Sequence, residues 1–339
     1  MDTARPGAIY CFGELLLRLD TPVGSRLAAA SSFSTQLGGA EANVAAMLSQ
    51  LGRLTEMVSV VPEAPLGDYC VAQLLAAGIG TDQLQRREGR LGLYFLEQGA
   101  TGRASKIVYD RGASAFALRP DGFNWNALAN RAGWFHLSGI TLAVSDAALD
   151  ASREAVAAMR AAGVPILFDA NHRASLWAGC EEQAALCLGE MAGQADVLFA
   201  GGFDIGRALG RALPDDSAQA RRAAAQMAFE RYPSLQVIAS TRRQITAVGQ
   251  QLAARVDCRD EGFETEAVSL NAAVDRIGSG DAFAGAAIDA LLRGEGPEAA
   301  ARFGLAAAVL KHGIAGDRFI GHREELDAYV AGAVTDVQR

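Results

Sequence analysis

Short runs of consecutive apolar residues alternate along this chain with Ala-rich stretches of helical spacing. AIYCF (8–12), TEMVSVV (55–61), WFHLSG (134–139), PILFD (165–169), ADVLFA (195–200) and LQVIAS (235–240) show little polar alternation, the mark of strands buried on both faces. Helices are predicted between them: 40–52, closed by Gly52; about 66–77, ending at Gly78; and about 146–162, 181–192 and 217–231. Strand, helix, strand repeated in this way predicts an α/β fold whose parallel sheet is covered on both faces. From about 280 to 332 the chain reads as mostly helical.

Two segments break the alternation. ELLLRLD (14–20) and the pair LGLYFLEQ (91–98) and SKIVYD (105–110) read as antiparallel strands, with GATG between the pair as a hairpin turn. They predict a small sheet standing off the main one, a discontinuous lid built from about 14–38 and 90–115. No internal repeat and no long linker is visible, so residues 1–339 are read as a single domain.

Composition narrows the function. With 339 residues, 50% hydrophobic and 21% charged, the chain has ordinary globular composition and length enough for a sizeable core. A net charge of −8 gives nucleic acid no electrostatic footprint, so no nucleic-acid partner is expected. No apolar run approaches the roughly 18–20 residues of a membrane span. The first twenty residues, broken by Gly13, Glu14, Arg18 and Asp20, lack a signal-peptide core, and a cytoplasmic location without a membrane partner is expected. Of the 31 Lys and Arg residues only Lys106 and Lys311 are lysine; neither follows a glycine, which excludes a Walker phosphate loop. The 5 cysteines form no Cys-x-x-Cys pair and the 4 histidines no His-x-x-x-His pair, which argues against a disulfide framework and a zinc site. An exposed lid edge invites pairing with another copy, so a homo-oligomer is expected.

The strongest local signal is AAVDRIGSGDAFAGAAIDALLRG (272–294). Gly278, Ser279 and Gly280 lead into a predicted helix from Asp281 to Arg293, with Gly294 beyond it. A glycine turn opening a helix aims unsatisfied backbone N–H groups and the positive end of the helix dipole at one spot, an anion hole that needs no lysine. Phe283 stands where a dinucleotide fingerprint has glycine, so a nicotinamide enzyme is disfavoured. From spacing alone Asp281 reads equally as a helix N-cap or as a general base that takes a proton from a hydroxyl attacking a phosphate. The dipole is expected to keep it ionised and weakly basic. Phosphoryl transfer through a loose transition state tolerates that, because positioning and charge neutralisation dominate.

LGGAEANVAAMLSQLG (37–52) and DRIGSGDAFAGA (275–286) resemble the two signatures of the ribokinase-like (PfkB) carbohydrate kinases, in that family's order and separation. The resemblance implies a three-layer α/β/α fold with a mostly parallel central sheet and a small β-sheet lid. It implies Asp281 as catalytic base, Gly278, Ser279 and Gly280 as anion hole, and Gly38, Gly39 and Asn43 bordering the sugar.

Further segments, LGLYFLEQ, IVYDRGASAF, FHLSGITLAVS, FDANHRASLW and VLKHGIAGD, resemble those of 2-keto-3-deoxygluconate kinases within the family. Tyr94, Tyr109 and Arg111 match the lid contacts to the sugar acid there, and Arg173 a second contact from the sheet. An anionic substrate approaching a chain of net charge −8 needs such local positive charge, and arginine binds carboxylates bidentately. The implied nucleotide contacts are Asn171, Ser240, Thr241, Arg242, Gly278, Gly280 and His312, with STRRQITAVG (240–249) standing where the family has a glycine-rich phosphate loop.

ATP and Mg2+ are implied, as is a monovalent cation ordered by Asp275 with the 311–317 segment. Relatives organise magnesium from an Asn- and Glu-rich segment after ADVLF. Here AGGFDIGRALG (200–210) contains no Glu and only Asp204, so no metal ligand is assigned. The expected activity is ATP-dependent phosphorylation of the terminal hydroxyl of 2-keto-3-deoxygluconate. The alternatives are a family kinase acting on a neutral sugar such as fructose or ribose, and a catalytically silent sugar- or nucleotide-binding relative.

Overall fold

The computed structural model describes residues 5–99, 103–211, 217–246, 249–270 and 273–333. Its strands are β1 (Ala8–Phe12), β2 (Leu16–Asp20), β3 (Ser34–Gly38), β4 (Thr55–Pro62), β5 (Leu84–Arg87), β6 (Gly92–Glu97), β7 (Lys106–Asp110), β8 (Ala132–Ser138), β9 (Ile166–Asp169), β10 (Val197–Phe199), β11 (Val237–Thr246), β12 (Gly249–Cys258), β13 (Gly262–Glu264) and β14 (Val268–Leu270). A large sheet runs β13-β12-β11-β10-β9-β8-β1-β4-β5, with β14 also paired to β12. From β11 across to β5 every pairing is parallel; β12 joins antiparallel to β11, β13 and β14.

The buried runs of the sequence are these central strands, and their side chains alternate between two apolar layers. Along β1, Ile9 and Cys11 pack into the layer of the helices Ala40–Gln50 and Ser279–Leu292, whereas Tyr10 and Phe12 pack into that of Asp146–Ala161 and Glu181–Ala192. That two-sided burial is why the strands carry no polar face. The predicted helices form at Ala40–Gln50, Pro65–Ala76, Asp146–Ala161, Glu181–Ala192 and Ala218–Arg231, within a residue or two of expectation. Ser145 caps Asp146–Ala161 by accepting the Ala148 N–H.

The segments that broke the alternation form a separate four-stranded sheet, β3-β2-β6-β7. Two of its pairings are antiparallel as expected, but β2 and β6 run parallel, because the chain makes a long excursion through β4 and β5 between them. β3 was not anticipated as a strand. Of the expected GATG turn, residues 100–102 lie outside the described residues. A larger difference lies at 240–249. Instead of a phosphate loop, the chain continues β11 to Thr246 and returns as β12, in a register pairing Ser240 with Arg255 and Thr246 with Gly249. All five cysteines are free thiols.

Candidate active site

One cavity of about 490 Å3 opens where the C-terminal ends of the central strands meet the small sheet. Leu16, Tyr94, Ile107 and Tyr109 of the small sheet form one wall. Asp169, Asn171 and Arg173 approach from the end of β9, Thr241 and Arg243 from β11, and Gly278–Asp281 from the start of the helix Ser279–Leu292.

The glycine turn is built as its sequence requires. Gly278 is left-handed at φ 79°, and a Cβ there would overlap the Asp317 carbonyl oxygen, so no other residue fits. The helix therefore begins two residues earlier than expected, at Ser279. Among the described residues no acceptor takes the N–H groups of Gly278, Gly280 or Asp281, and that of Ser279 makes only a long 3.4 Å contact with the Arg276 carbonyl. These are the free amides an anion hole needs.

Asp281 is partly buried on the cavity floor, and Asn43 Nδ2 donates to its Oδ2 at 2.6 Å. Burial pushes the Asp281 carboxyl up to about 7, opposed by the Asn43 hydrogen bond and the Arg173 charge and reinforced by Asp317 and Glu41. The expectation of an ionised, weakly basic group is corrected: burial raises its pKa. Asp169 is pushed further, to about 8, by burial and then by the charges of Asp281 and Asp204. The two carboxylates therefore titrate as a coupled pair.

Asn43 and Glu41 share the first turn of the helix Ala40–Gln50, whose N-cap is Gly39. Gly39 adopts φ 145°, and a Cβ there would press on the Glu14 carbonyl, which brings the helix end against the site. The buried Glu41 carboxylate accepts the Ser138 N–H at 3.0 Å and the Thr141 hydroxyl at 2.6 Å, and burial raises its pKa.

The other predicted residues divide into two groups. Gly39, Asn43, Tyr94, Tyr109, Arg111, Asn171, Arg173, Thr241, Gly278, Ser279, Gly280 and Asp281 all line the cavity. Gly38 lies just behind it, where a Cβ would meet Asp317 and Tyr94. Ser240 and Arg242 are not in the lining. β11 is a strand there, so positions 240 and 242 face away while Thr241 and Arg243 face in, and Arg242 instead reaches Glu264 at 3.4 Å. His312 is also outside the lining, behind Arg243. Its Nδ1 lies 2.6 Å from the Ala308 carbonyl and its Nε2 2.9 Å from Arg243 Nη2, with burial lowering its pKa. The neutral ring thus donates to Ala308 and accepts from Arg243, orienting the arginine.

Two predicted substrate contacts already have partners. The Tyr94 hydroxyl donates to both oxygens of Asp317, at 2.6 and 2.5 Å. Arg111 pairs with the buried Glu14 carboxylate, at 2.7 Å from Nε and 2.5 Å from Nη2, while Ser114 donates to the other Glu14 oxygen. Arg173, by contrast, is exposed and makes no ion pair among the described residues.

Sequence reading missed Asp169, Glu14 and Arg243. Asp169 closes the apolar run PILFD, a position that a parallel strand aims at a ligand, and that signal was available.

Among the described residues no three His, Cys, Asp or Glu side chains gather as a metal cage. Asp169 is nevertheless a hard oxygen donor on the cavity wall, with Asp204 close enough to raise its pKa. One or two such carboxylates beside a nucleotide's phosphates suit magnesium, which keeps several waters in kinase sites.

The sequence model of the pfkB family carbohydrate kinases matches residues 8–319. The chain is 30% identical to a 2-dehydro-3-deoxygalactonokinase of Haloferax volcanii, over 98% of this chain and 99% of that one. It is 27% identical to a 2-dehydro-3-deoxygluconokinase of Bacillus subtilis, over 97% of both. The crystal structure of a 2-dehydro-3-deoxygluconokinase from Thermotoga maritima superposes with a TM-score of 0.90 at 34% identity, covering 96% of this chain and 98% of that one.

Proposed function

The chain belongs to the pfkB family of carbohydrate kinases, and on that premise we propose that it transfers the γ-phosphoryl group of ATP to the terminal hydroxyl of 2-keto-3-deoxygluconate. The observation that carries the reading is the placement of Asp281. Its carboxylate lies on the floor of one cavity, held by Asn43, beside the free amides of the 278–280 turn. A hydroxyl between the two finds a base on one side and, on the other, a place for the phosphoryl group it attacks.

The steps follow from these residues. Asp281 takes the proton as the hydroxyl oxygen bonds to the γ-phosphorus, and the bond from that phosphorus to the bridging oxygen breaks to release ADP. A carboxyl titrating near 7 suits this role better than one at the ordinary aspartate value, because base strength and ionised fraction are then balanced near neutral pH. The amides of Gly278, Ser279 and Gly280 meet charge on the transferring group, and Thr241 and Arg243 face the phosphates that precede it. Magnesium bound with the nucleotide would be held by Asp169, with Asp204 behind it, and would offset phosphate charge. Closure of the small sheet over the cavity as a lid would exclude water, the competing acceptor.

The sugar-acid class is supported by the activities of the relatives in Haloferax, Bacillus and Thermotoga and by Arg173, which makes no ion pair among the described residues. Arg173 holds the substrate carboxylate, while Arg111, tied to Glu14, shapes the pocket with Tyr94 and Tyr109. The Haloferax relative favours a second reading, the galactonate-type epimer as substrate.

The test is ADP release from ATP and Mg2+ over a panel of both 2-keto-3-deoxy acids, fructose and ribose. Turnover is expected with a sugar acid, and Asp281→Asn should lower kcat by about 10²–10⁴-fold with the fold retained. Preference for a neutral sugar, or an unchanged rate in the variant, rejects the proposal.

A further inference from the structure

Beneath the anion-hole turn lies a charged cluster that the phosphoryl-transfer steps do not use. Arg18 of β2 is wholly buried, and each arm of its guanidinium meets a different carboxylate: Nε with Asp20 at 2.7 Å, Nη1 with Asp317 at 2.6 Å and Nη2 with Asp275 at 2.5 Å. Burial opposes its charge, but the surrounding Tyr94, Asp317 and Asp275 outweigh that and raise its affinity for its proton. The other oxygens of Asp275 and Asp317 are also occupied. Asp275 accepts the Ile277 N–H at 2.9 Å and the Gly316 N–H at 3.0 Å, and Asp317 accepts the Tyr94 hydroxyl. In the neighbouring segment the carbonyl of Ile314 accepts Lys311 Nζ at 2.9 Å. Lys311 is itself wholly buried, and burial lowers its pKa against the opposing charges of Asp275 and Asp317.

These are the residues, Asp275 and 311–317, at which the family resemblance implies a monovalent cation. They do not fit one. Both carboxylates and the Ile314 carbonyl already face donors from the chain itself, and two buried side-chain cations stand where a metal ion would supply charge.

We infer that Arg18 serves as a built-in cation, fixing the anion-hole turn from below, and that the enzyme works without potassium or sodium. The route to the turn is short. Arg18 grips Asp275, whose other oxygen binds the Ile277 N–H, and Asp317, whose carbonyl packs against Gly278. Arg18 is wholly buried and does not line the cavity, so it is a positioning residue. The inference rests in part on the proposed kinase activity.

The experiment compares the full chain in potassium, sodium and choline chloride at equal ionic strength. A specifically bound ion stabilises only the folded state, so it would raise Tm over choline by about 2 °C or more; a smaller difference is expected here. Rates of ADP release should agree within about threefold across the three salts, because the turn is already ordered. Either a larger Tm shift or a larger rate increase with potassium or sodium overturns the inference. Arg18→Ala is expected to lower kcat by about tenfold or more with little change in the sugar KM, and low guanidinium, but not choline, should restore part of it. A folded Arg18→Ala variant with wild-type kcat in choline also overturns it. If the variant does not fold, the wild-type comparison decides. If no sugar acid or neutral sugar supports ADP release in any salt, the functional proposal fails, whereas the Tm comparison still tests Arg18.

Discussion

Asn43 Nδ2 donates to Asp281 Oδ2 at 2.6 Å, joining the first turns of two helices through residues 238 apart in the chain. The bond favours the charged carboxylate, working against the burial that raises its pKa. Asn43→Ala removes the donor without adding charge. The acid limb of the kcat/KM profile, expected near pH 7 in the wild type if Asp281 is the base, is then expected to move up by about one unit, the scale of a hydrogen bond to a charged group. The check is kcat/KM from pH 5 to 9 for both proteins; an unmoved limb would mean that Asn43 does not tune the base.

Stability should run against activity over the same pH range. The Asp281 and Asp169 carboxyls titrate at about 7 and about 8 in the fold, against an ordinary value of 3.8. Between that ordinary value and the folded ones, the native state binds more protons than the unfolded chain, so the free energy of unfolding falls as pH rises through 4 to 8. On the proposed role of Asp281 as base, the ionisation that activates it therefore destabilises the protein. Asp281→Asn removes one of these groups, and its Tm is expected to exceed that of the wild type at pH 8 by about 2–5 °C while nearly matching it at pH 5. Melting curves at both pH values test this, and a larger gain at pH 5 would contradict the sign.

How far the sequence foretold this site depends on which physical signal each residue leaves. The central strands and the long helices were legible because two-sided burial and helical periodicity are local patterns. Gly278 and Asp281 were legible because a left-handed turn opening a helix has few sequence solutions. The pairing of Arg111 with Glu14 and of Arg18 with Asp275 was not, since 97 and 257 residues separate the partners. Nothing near either arginine distinguishes it from a solvated one. The raised pKa of Asp281 was hidden for the same reason: the helix dipole can be read from sequence, the burial imposed by distant segments cannot.

The 240–249 segment was misread in one respect that alternation could have corrected. LQVIAS continues into TRRQIT without a breaker, so the strand runs on and successive side chains face opposite ways. Arg243 faces the cavity and Arg242 faces Glu264. Arg243→Ala is accordingly expected to raise the KM for ATP by about tenfold, the loss of one charge-assisted contact. Arg242→Ala should leave it within about twofold, since an exposed or half-exposed ion pair contributes little. Steady-state kinetics in ATP at saturating sugar separate the two, and the reverse order would place the phosphates on the other face of the strand.

Arg173 and Arg111 make the sharpest test of the sugar-acid reading, because the structure gives them different surroundings. Arg111 is bound to buried Glu14, and its removal leaves that carboxylate without its cation, a change that typically costs about 3–5 kcal/mol of stability. Arg111→Ala is thus expected to lower Tm, and its kinetics alone cannot identify a substrate contact. Arg173 is exposed, so Arg173→Ala should leave Tm close to that of the wild type. With a 2-keto-3-deoxy acid its KM is expected to rise by about 10- to 100-fold, the range of a lost hydrogen bond to a charged group. Any neutral sugar turned over at all should show little change in KM. A second consequence follows from charge: Arg173 lowers the pKa of both Asp281 and Asp169, so its loss should shift the acid limb of kcat/KM upward. A KM increase shared equally by acid and neutral sugars would show that Arg173 binds something other than the carboxylate, and the sugar-acid assignment would then lose its structural support.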